Sequence, residues 1–162
     1  MISEGAKTRF LLAHNTLMAD REGVIEGCRH IQAAFSDCSS VDAEIIELQR
    51  EIEVVTELSR KAIYQNACTA QDQDDFNERN SGYLERHWAA RERMEALEAE
   101  RRTRIEKAKM LESFIHDIKK SPLPIEEFCD KLWVSVVDKV TVGKDGEMTF
   151  SFRNGSNVTI ES

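Results

Sequence analysis

Residues 41–55 read VDAEIIELQREIEVV, and their apolar side chains recur in alternating steps of four and three residues. The positions at these steps are Val41, Ile45, Leu48, Ile52 and Val55. This spacing is the heptad pattern of a coiled coil, because it keeps one apolar stripe along a helix. The same register continues more weakly to Asn66, so we expect a helix over residues 41–68, about 40 Å long.

A second heptad stretch follows a polar and acidic segment, residues 69–75. Its stripe positions are Phe76, Asn80, Tyr83, His87, Ala90, Met94, Leu97, Arg101, Arg104, Ala108, Leu111, Ile115 and Ile118. A connection this short places two helices side by side in opposite directions. We therefore predict an antiparallel coiled-coil hairpin over residues 41–120, with its tip near residues 69–75.

Two arginines, Arg101 and Arg104, interrupt the second stripe. One interpretation pairs them with acidic residues on the facing helix, such as Glu44, Glu47 or Glu51. In the alternatives they face solvent where the coil loosens, or they form a hinge at which the hairpin swings. The second helix is also longer than the first, so its far end needs another packing partner.

Residues 1–40 contain two shorter amphipathic helices that can supply this partner. Ser3 and Asp20 are their expected N-caps, and Ser40 is the expected cap of the helix that follows. We expect these helices to pack against the far end of the second heptad helix, forming a bundle of three or four helices at the base.

Residues 121–162 change from a helical period to an alternating one. Two prolines end the long helix, and an amphipathic helix is predicted from Ile125 to about Val134. Alternating apolar residues then predict three strands, separated by the turn signals Lys144-Asp145-Gly146 and Asn154-Gly155.

The predicted fold class is therefore mainly α with a small β element. Its parts are a helical-bundle base (1–40), a long antiparallel coiled-coil hairpin (41–120), and a short helix with a three-stranded antiparallel β-meander (121–162).

The net charge of −8 is unevenly spread: it is −7 over residues 1–75, +2 over 76–120 and −3 over 121–162. Affinity for nucleic-acid phosphates comes largely from Lys and Arg, so an acidic chain is a poor DNA binder. Any DNA contact here is expected to be local and auxiliary. Lys139, Lys144 and Arg153 are the candidates, the alternative being that they are ordinary surface cations.

The sequence contains no pattern typical of a metal or catalytic site. Its four cysteines form no CxxC pair, and the pair Cys28 and His30 lacks two further ligands. His87 lies on the heptad stripe, where we interpret it as a packing residue rather than a metal ligand or pH switch; His14, His30 and His116 are interpreted in the same way. No acid, base and nucleophile cluster, and no glycine-rich phosphate loop is present. We expect no cofactor, no small-molecule ligand and no catalysis.

Neither a signal-peptide pattern nor an apolar run of about 18 residues occurs. These observations predict a cytoplasmic chain with reduced thiols and no membrane contact.

Two groups of residues resemble the large serine recombinases of phages and transposons. The first lies in the coil: residues 48–58 (LQREIEVVTEL), Asn66-Ala67 and residues 71–76 (QDQDDF). The second lies in the tail: Leu132-Trp133, residues 137–142 (VDKVTV), Asp145-Gly146 and residues 150–155 (FSFRNG). Together they cover nearly the whole chain and resemble the C-terminal end of that family.

The resemblance implies a role in protein contacts rather than in chemistry. In the family, a resolvase-like domain with a serine nucleophile cuts DNA, and a recombinase domain and a zinc ribbon bind it; none of these is found here. The family's coiled coil contacts other recombinase subunits or a directionality factor, and so controls which DNA sites synapse. The corresponding candidate contact residues lie at the tip: Thr69, Gln71, Asp72, Asp75 and Phe76.

Two further hypotheses remain open. A free-standing coiled-coil adaptor or structural protein requires only the heptads, and predicts dimerisation through an exposed stripe and no DNA-related partner. A small hydrolase or metal enzyme has the weakest support, because no residue cluster favours it.

Overall fold

A computed structural model describes all 162 residues. The chain is mainly helical, with one small sheet. The helices are α1 (Glu4–Leu17), α2 (Arg21–Ser36), α3 (Ser39–Cys68), α4 (Gln73–Lys120) and α5 (Asp130–Val136), and a 3-10 turn (Met18–Asp20) joins α1 to α2. The strands are β1 (Val137–Val142), β2 (Met148–Phe152) and β3 (Asn157–Ile160). The predicted fold class is confirmed.

The chain divides into two compact units. Residues 1–36 and 105–162 form the first, and residues 37–104 form the second. Helix α4 contributes residues to both.

The first unit has a continuous apolar core. Its buried members are Phe10, Ala13, Met18, Ile25, Cys28, Leu111, Phe114, Ile115, Ile118, Ile125, Val136, Val137, Phe150 and Phe152. Leu111 and Ile115, predicted as coiled-coil seam residues, therefore belong to this core rather than to the hairpin. Their stripe packs with the N-terminal helices, as expected for the far end of the long helix.

Aromatic rings fix the sheet against the helices in this unit. Phe10 of α1 lies 5.0 Å from Trp133 and 6.3 Å from Phe150, measured between ring centroids. The Trp133 ring meets Phe150 edge-on at 6.0 Å. Such edge-to-face contacts contribute about 0.5–1.5 kcal/mol each beyond the buried area. The prediction that Trp133 anchors the short helix on the sheet is confirmed.

The three strands form an antiparallel sheet in the order β1-β2-β3. Val140 lies opposite Phe150, and Val158 lies on the other side of Phe150, so the buried face is apolar. Both predicted turns contain a glycine with positive φ, Gly146 at 83° and Gly155 at 89°, a backbone conformation that other residues rarely adopt.

The start of the tail helix was predicted wrongly: it begins at Asp130, not at Ile125. Ile125 is buried, and both its backbone N–H and its carbonyl are hydrogen-bonded to the side chain of Asn15. These bonds satisfy the backbone without a helix, so the amphipathic spacing after the prolines reflects burial of Ile125 and Phe128 rather than a helical turn.

Three helix starts show how side chains satisfy free backbone N–H groups. Ser3 accepts a hydrogen bond from the N–H of Ala6, and Asp20 accepts one from Gly23, as predicted. At α3 the expected cap Ser40 is wrong. Asp37 accepts hydrogen bonds from the backbone N–H and the hydroxyl of Ser39, which lower the pKa of its carboxyl group.

Candidate protein-interaction surface

Helices α3 and α4 meet along the predicted seam within residues 37–104. Val41, Val55 and Leu97 are buried there. Four other predicted seam residues are half-buried: Ile45, Leu48, Ile52 and Met94. Nearer the tip the seam becomes polar, and the Ser59 hydroxyl donates to Oδ1 of Asn80 at 2.8 Å. The hairpin therefore buries its stripe internally.

One side of the seam, which we call the ion-pair flank, is defined by Glu44, Glu51, Arg86 and Arg93. Nε of Arg93 donates to Oε1 of Glu44 at 2.8 Å, and Nη2 of Arg86 lies 2.7 Å from Oε1 of Glu51. The hydrogen bond that Arg93 donates to Glu44 raises the pKa of Arg93. All four residues immediately precede a seam residue in the sequence.

The two arginines that interrupt the stripe, Arg101 and Arg104, also contact oxygen acceptors. Nε of Arg101 lies 2.8 Å from Oδ1 of Asp42, and Nη2 of Arg104 donates to the backbone carbonyl of Asp37 at 3.1 Å. Arg101 thus pairs across to α3 as expected, but with Asp42 rather than Glu44, Glu47 or Glu51. Glu44 and Glu51 are already paired with other arginines.

The opposite side, which we call the apolar flank, is defined by Thr56, Ile63, Leu84 and Trp88. These residues, with Arg60 and His87, line an open groove of about 420 Å³. The side chains are strongly exposed: 66% for Trp88, 53% for Ile63 and 47% for Leu84. The rings of His87 and Trp88 meet edge-on at 5.7 Å.

Helical geometry explains why the two flanks differ. Residues one position before and one position after a seam residue lie on opposite sides of the stripe. In an antiparallel pair, the preceding positions of both helices lie on one side and the following positions of both helices lie on the other. Glu and Arg occupy the preceding positions, whereas Thr56, Ile63, Leu84 and Trp88 occupy the following ones. Sequence reasoning assigned no contact role to Ile63, Leu84 or Trp88. The sequence did contain the pattern, because each of the three residues directly follows a seam residue.

The tip residues mainly stabilise the hairpin turn. Helix α4 begins at Gln73, three residues earlier than expected, because Oδ1 of Asp72 accepts hydrogen bonds from the N–H groups of Asp74 (2.9 Å) and Asp75 (3.2 Å). Oε1 of Gln71 accepts from Nη2 of Arg79 at 3.1 Å.

The remaining candidate contact residues differ in exposure. Thr69 and Asp75 are exposed, and Phe76 is half-buried. The side chains of Thr69 and Asp75 are therefore accessible, whereas those of Asp72 and Gln71 already form hydrogen bonds within the tip.

The candidate DNA-contact residues are spread over the sheet. Lys139 lies on β1 and Lys144 in the turn after it, and both are exposed. Arg153 follows β2, and its Nε donates to the carbonyl of Val134 at 3.2 Å. Arg153 thus links the end of β2 to α5, and one N–H of its guanidinium is already used.

One histidine lies in the core of the first unit. His14 is fully buried beside Phe10, at 5.7 Å between ring centroids, and neither ring nitrogen has a hydrogen-bond partner. Burial lowers its pKa to about 4, an effect only partly opposed by the nearby Asn15 amide. His14 is therefore neutral at pH 7, in line with its interpretation as a packing residue.

The thiols are divided between core and surface. Cys28 and Cys38 are buried, whereas Cys68 and Cys129 are exposed. Burial raises the pKa of the Cys28 thiol, so Cys28 is a poor nucleophile. The structure contains no group of three or more His, Cys, Asp or Glu side chains placed to hold a metal ion.

Comparison with protein-family models, with curated proteins and with solved structures finds no match to this chain. None of its helices is both long enough and apolar enough to cross a bilayer.

Proposed function

We propose that this chain is the C-terminal coiled-coil interaction module of a serine site-specific recombinase of a mobile element. It acts in the cytoplasm and is non-catalytic by itself. Its hairpin contacts other recombinase subunits or a directionality factor, and these contacts control synapsis during DNA recombination and integration. DNA is bound by domains upstream of the module, and at most weakly by the module itself.

The observation that carries this proposal is the hairpin of α3 and α4, which buries its own seam yet exposes a second apolar surface. Apolar side chains that remain strongly exposed beside a completed seam are typical of a protein-binding surface. The resemblance of the coil and tail residues to the recombinases supplies the kind of partner.

The charge distribution favours protein contact over DNA contact for the hairpin. Residues 37–75 contain ten acidic and three basic side chains. Such a segment repels DNA phosphates, so contact with another protein is the more favourable role.

The first test is to read the genomic DNA upstream of the Met1 codon. We expect a coding sequence for a resolvase-like serine domain and a zinc-ribbon CxxC pair. A genuine start at Met1, with no recombinase gene adjacent to it, contradicts the proposal and favours the free-standing adaptor.

The second test is a plasmid recombination assay with the complete recombinase that contains this module. Reversing an exposed tip charge with Asp75→Lys should reduce synapsis about tenfold, a typical effect of an interfacial charge. Binding to a single DNA site should not change. Asp138→Lys, an exposed charge reversal on the sheet, is the matched control.

The adaptor remains the alternative because it requires only the heptads. Its predicted dimerisation through an exposed stripe is disfavoured by the burial of Val55 and Leu97 within one chain. Affinity capture that returns only partners unrelated to DNA would favour it over the recombinase module.

A further inference from the structure

We propose that two copies of this chain associate through the apolar flank, in an antiparallel arrangement related by a two-fold axis. The inference deepens the proposed function by assigning a subunit contact to one face of the hairpin, and it rests on that function only for its biological meaning. The association itself follows from the residues of the flank.

The flank has the properties of a protein contact. Trp88 is two-thirds exposed at the groove, and Ile63 and Leu84 are about half exposed. Tryptophan contributes more to protein interfaces than most residue types, especially when it fills a pocket on the partner. A groove beside an exposed Trp can accept the same Trp of a second copy.

Contacts across the seam define which residues lie at the same height along the hairpin. Ser59 lies opposite Asn80, and the Glu51–Arg86 and Glu44–Arg93 pairs continue this register. By the same register, Ile63 lies level with about residue 75 of α4, Arg60 with about residue 78, and Glu53 with about residue 85.

With residues at these levels, the apolar flank is complementary to the same flank of a second copy. The midpoint between Trp88 and Ile63 lies near residues 81–82 of α4, and so does the midpoint between Glu53 and Arg60. A two-fold axis through this point, perpendicular to the hairpin, brings Trp88 level with Ile63 of the second copy, at the end of its groove. It also places Glu53 beside Arg60 of the second copy, and symmetry makes each contact twice.

Glu53 forms no ion pair within one chain, and Arg60 forms only a long one. Glu53 and Arg60 are seven residues apart on α3, so they share a face but are separated by about 10 Å. Within the chain Arg60 approaches only Glu57, at 3.6 Å. Small side chains, Ser81 and Thr56, lie nearest the axis and allow the helices to approach closely.

This pattern selects a second copy over an unrelated amphipathic helix. Any apolar helix could cover Trp88, but only a surface with opposite charges at the same spacing also satisfies Glu53 and Arg60. The flank itself is such a surface. A contact of this kind is isologous and closes as a dimer.

The experiment is sedimentation equilibrium of the 162-residue chain at neutral pH, from about 1 to 100 µM. We expect a monomer–dimer equilibrium. Trp88→Ala should raise the dimer Kd at least about 100-fold, because the residue is lost twice per dimer. Val54→Ala removes an exposed apolar side chain outside the groove and should leave the Kd unchanged.

A charge exchange tests the arrangement. Glu53→Lys should raise the Kd about tenfold by placing two cations together, and Glu53→Lys with Arg60→Glu should restore it to within about threefold. Circular dichroism confirms that each variant remains folded.

A cysteine at the proposed axis tests the symmetry. With Cys68 and Cys129 replaced by serine, Ser81→Cys should form a disulfide-linked dimer under mild oxidation, whereas Val54→Cys should not.

Three results overturn the inference: a monomer at all concentrations, a dimer that Trp88→Ala does not weaken, or equal cross-linking at positions 54 and 81. None of them bears on the recombinase genes upstream or on the tip assay. Failure of the proposed function would equally leave the dimer measurements intact.

Discussion

The side-chain amide of Asn15 on α1 exchanges two hydrogen bonds with the backbone of Ile125. Its Oδ1 accepts from the Ile125 N–H at 2.9 Å, and its Nδ2 donates to the Ile125 carbonyl at 3.0 Å. A single side chain thus replaces a strand partner for a buried residue that lies 110 positions away in the sequence.

Asn15→Ala should lower the free energy of unfolding by about 2 kcal/mol, because it leaves a buried N–H and a buried carbonyl without partners. Asn15→Asp keeps the acceptor but places a carboxylate oxygen against the Ile125 carbonyl oxygen, so at neutral pH it should cost at least as much as alanine. Urea denaturation measures both. Thr16→Ala, at the exposed neighbouring position, is the control, and an Asn15→Ala variant no less stable than this control contradicts the assignment.

His14 predicts a specific loss of stability in mild acid. Its pKa is about 4 in the folded protein, below its unfolded value of 6.5. Below pH 6.5 the unfolded chain binds a proton that the folded chain does not, so stability falls as pH decreases from 6.5 toward 4. Between pH 7 and pH 5 the loss from this residue should be about 2 kcal/mol.

The matched variant is His14→Leu, which removes the titration but fills the same core position. The pH dependence of its unfolding free energy should be shallower than that of the wild type over this interval. Parallel curves for the two proteins would show that His14 is not buried and neutral.

Two adjacent valines test the position of the seam. Val55 is 1% exposed and Val54 is 51% exposed. Val55→Ala should cost about 2 kcal/mol through lost burial and a cavity, whereas Val54→Ala should cost almost nothing because alanine favours the helix. Thermal and urea denaturation of the two variants compare them directly. Equal losses would place the seam elsewhere.

Variants of Asp72 distinguish a structural role of the tip from contact with a partner. Asp72→Ala should destabilise the hairpin by about 1 kcal/mol, because the first N–H groups of α4 lose their acceptor, whereas Asp72→Ser retains a cap. Hydrogen exchange at the start of α4 reports the effect. If the alanine and serine variants exchange equally fast, Asp72 is not the cap.

Periodicity in the sequence predicted the helices, the hairpin direction and the meander. The steps from Val41 to Val55 could come only from a helix with one buried stripe, and glycines at 146 and 155 marked turns that need positive φ. Local patterns could not identify contacts between residues that are distant in sequence. The Asn15 bonds that keep Ile125 out of a helix are of this kind, as is the pairing of Arg101 with Asp42.

The candidate surface was only partly predictable for the same reason. The position of the tip follows from where the heptads stop, but the role of its residues as caps and turn contacts depends on hydrogen bonds that the heptads do not show. The apolar flank requires both helices to be placed side by side, because Ile63 and Leu84 come from different helices and are unremarkable separately. The recombinase assignment stays a prediction.

The contrast between the two flanks means that salt acts on them in opposite directions. Added electrolyte screens the exposed Glu44–Arg93 and Glu51–Arg86 contacts, which loosens one edge of the hairpin. Sulfate or phosphate at high concentration strengthens burial of apolar surface, and so favours covering Trp88 on the other edge. The ionic composition of the medium therefore adjusts the balance between holding the hairpin together and joining it to a neighbour.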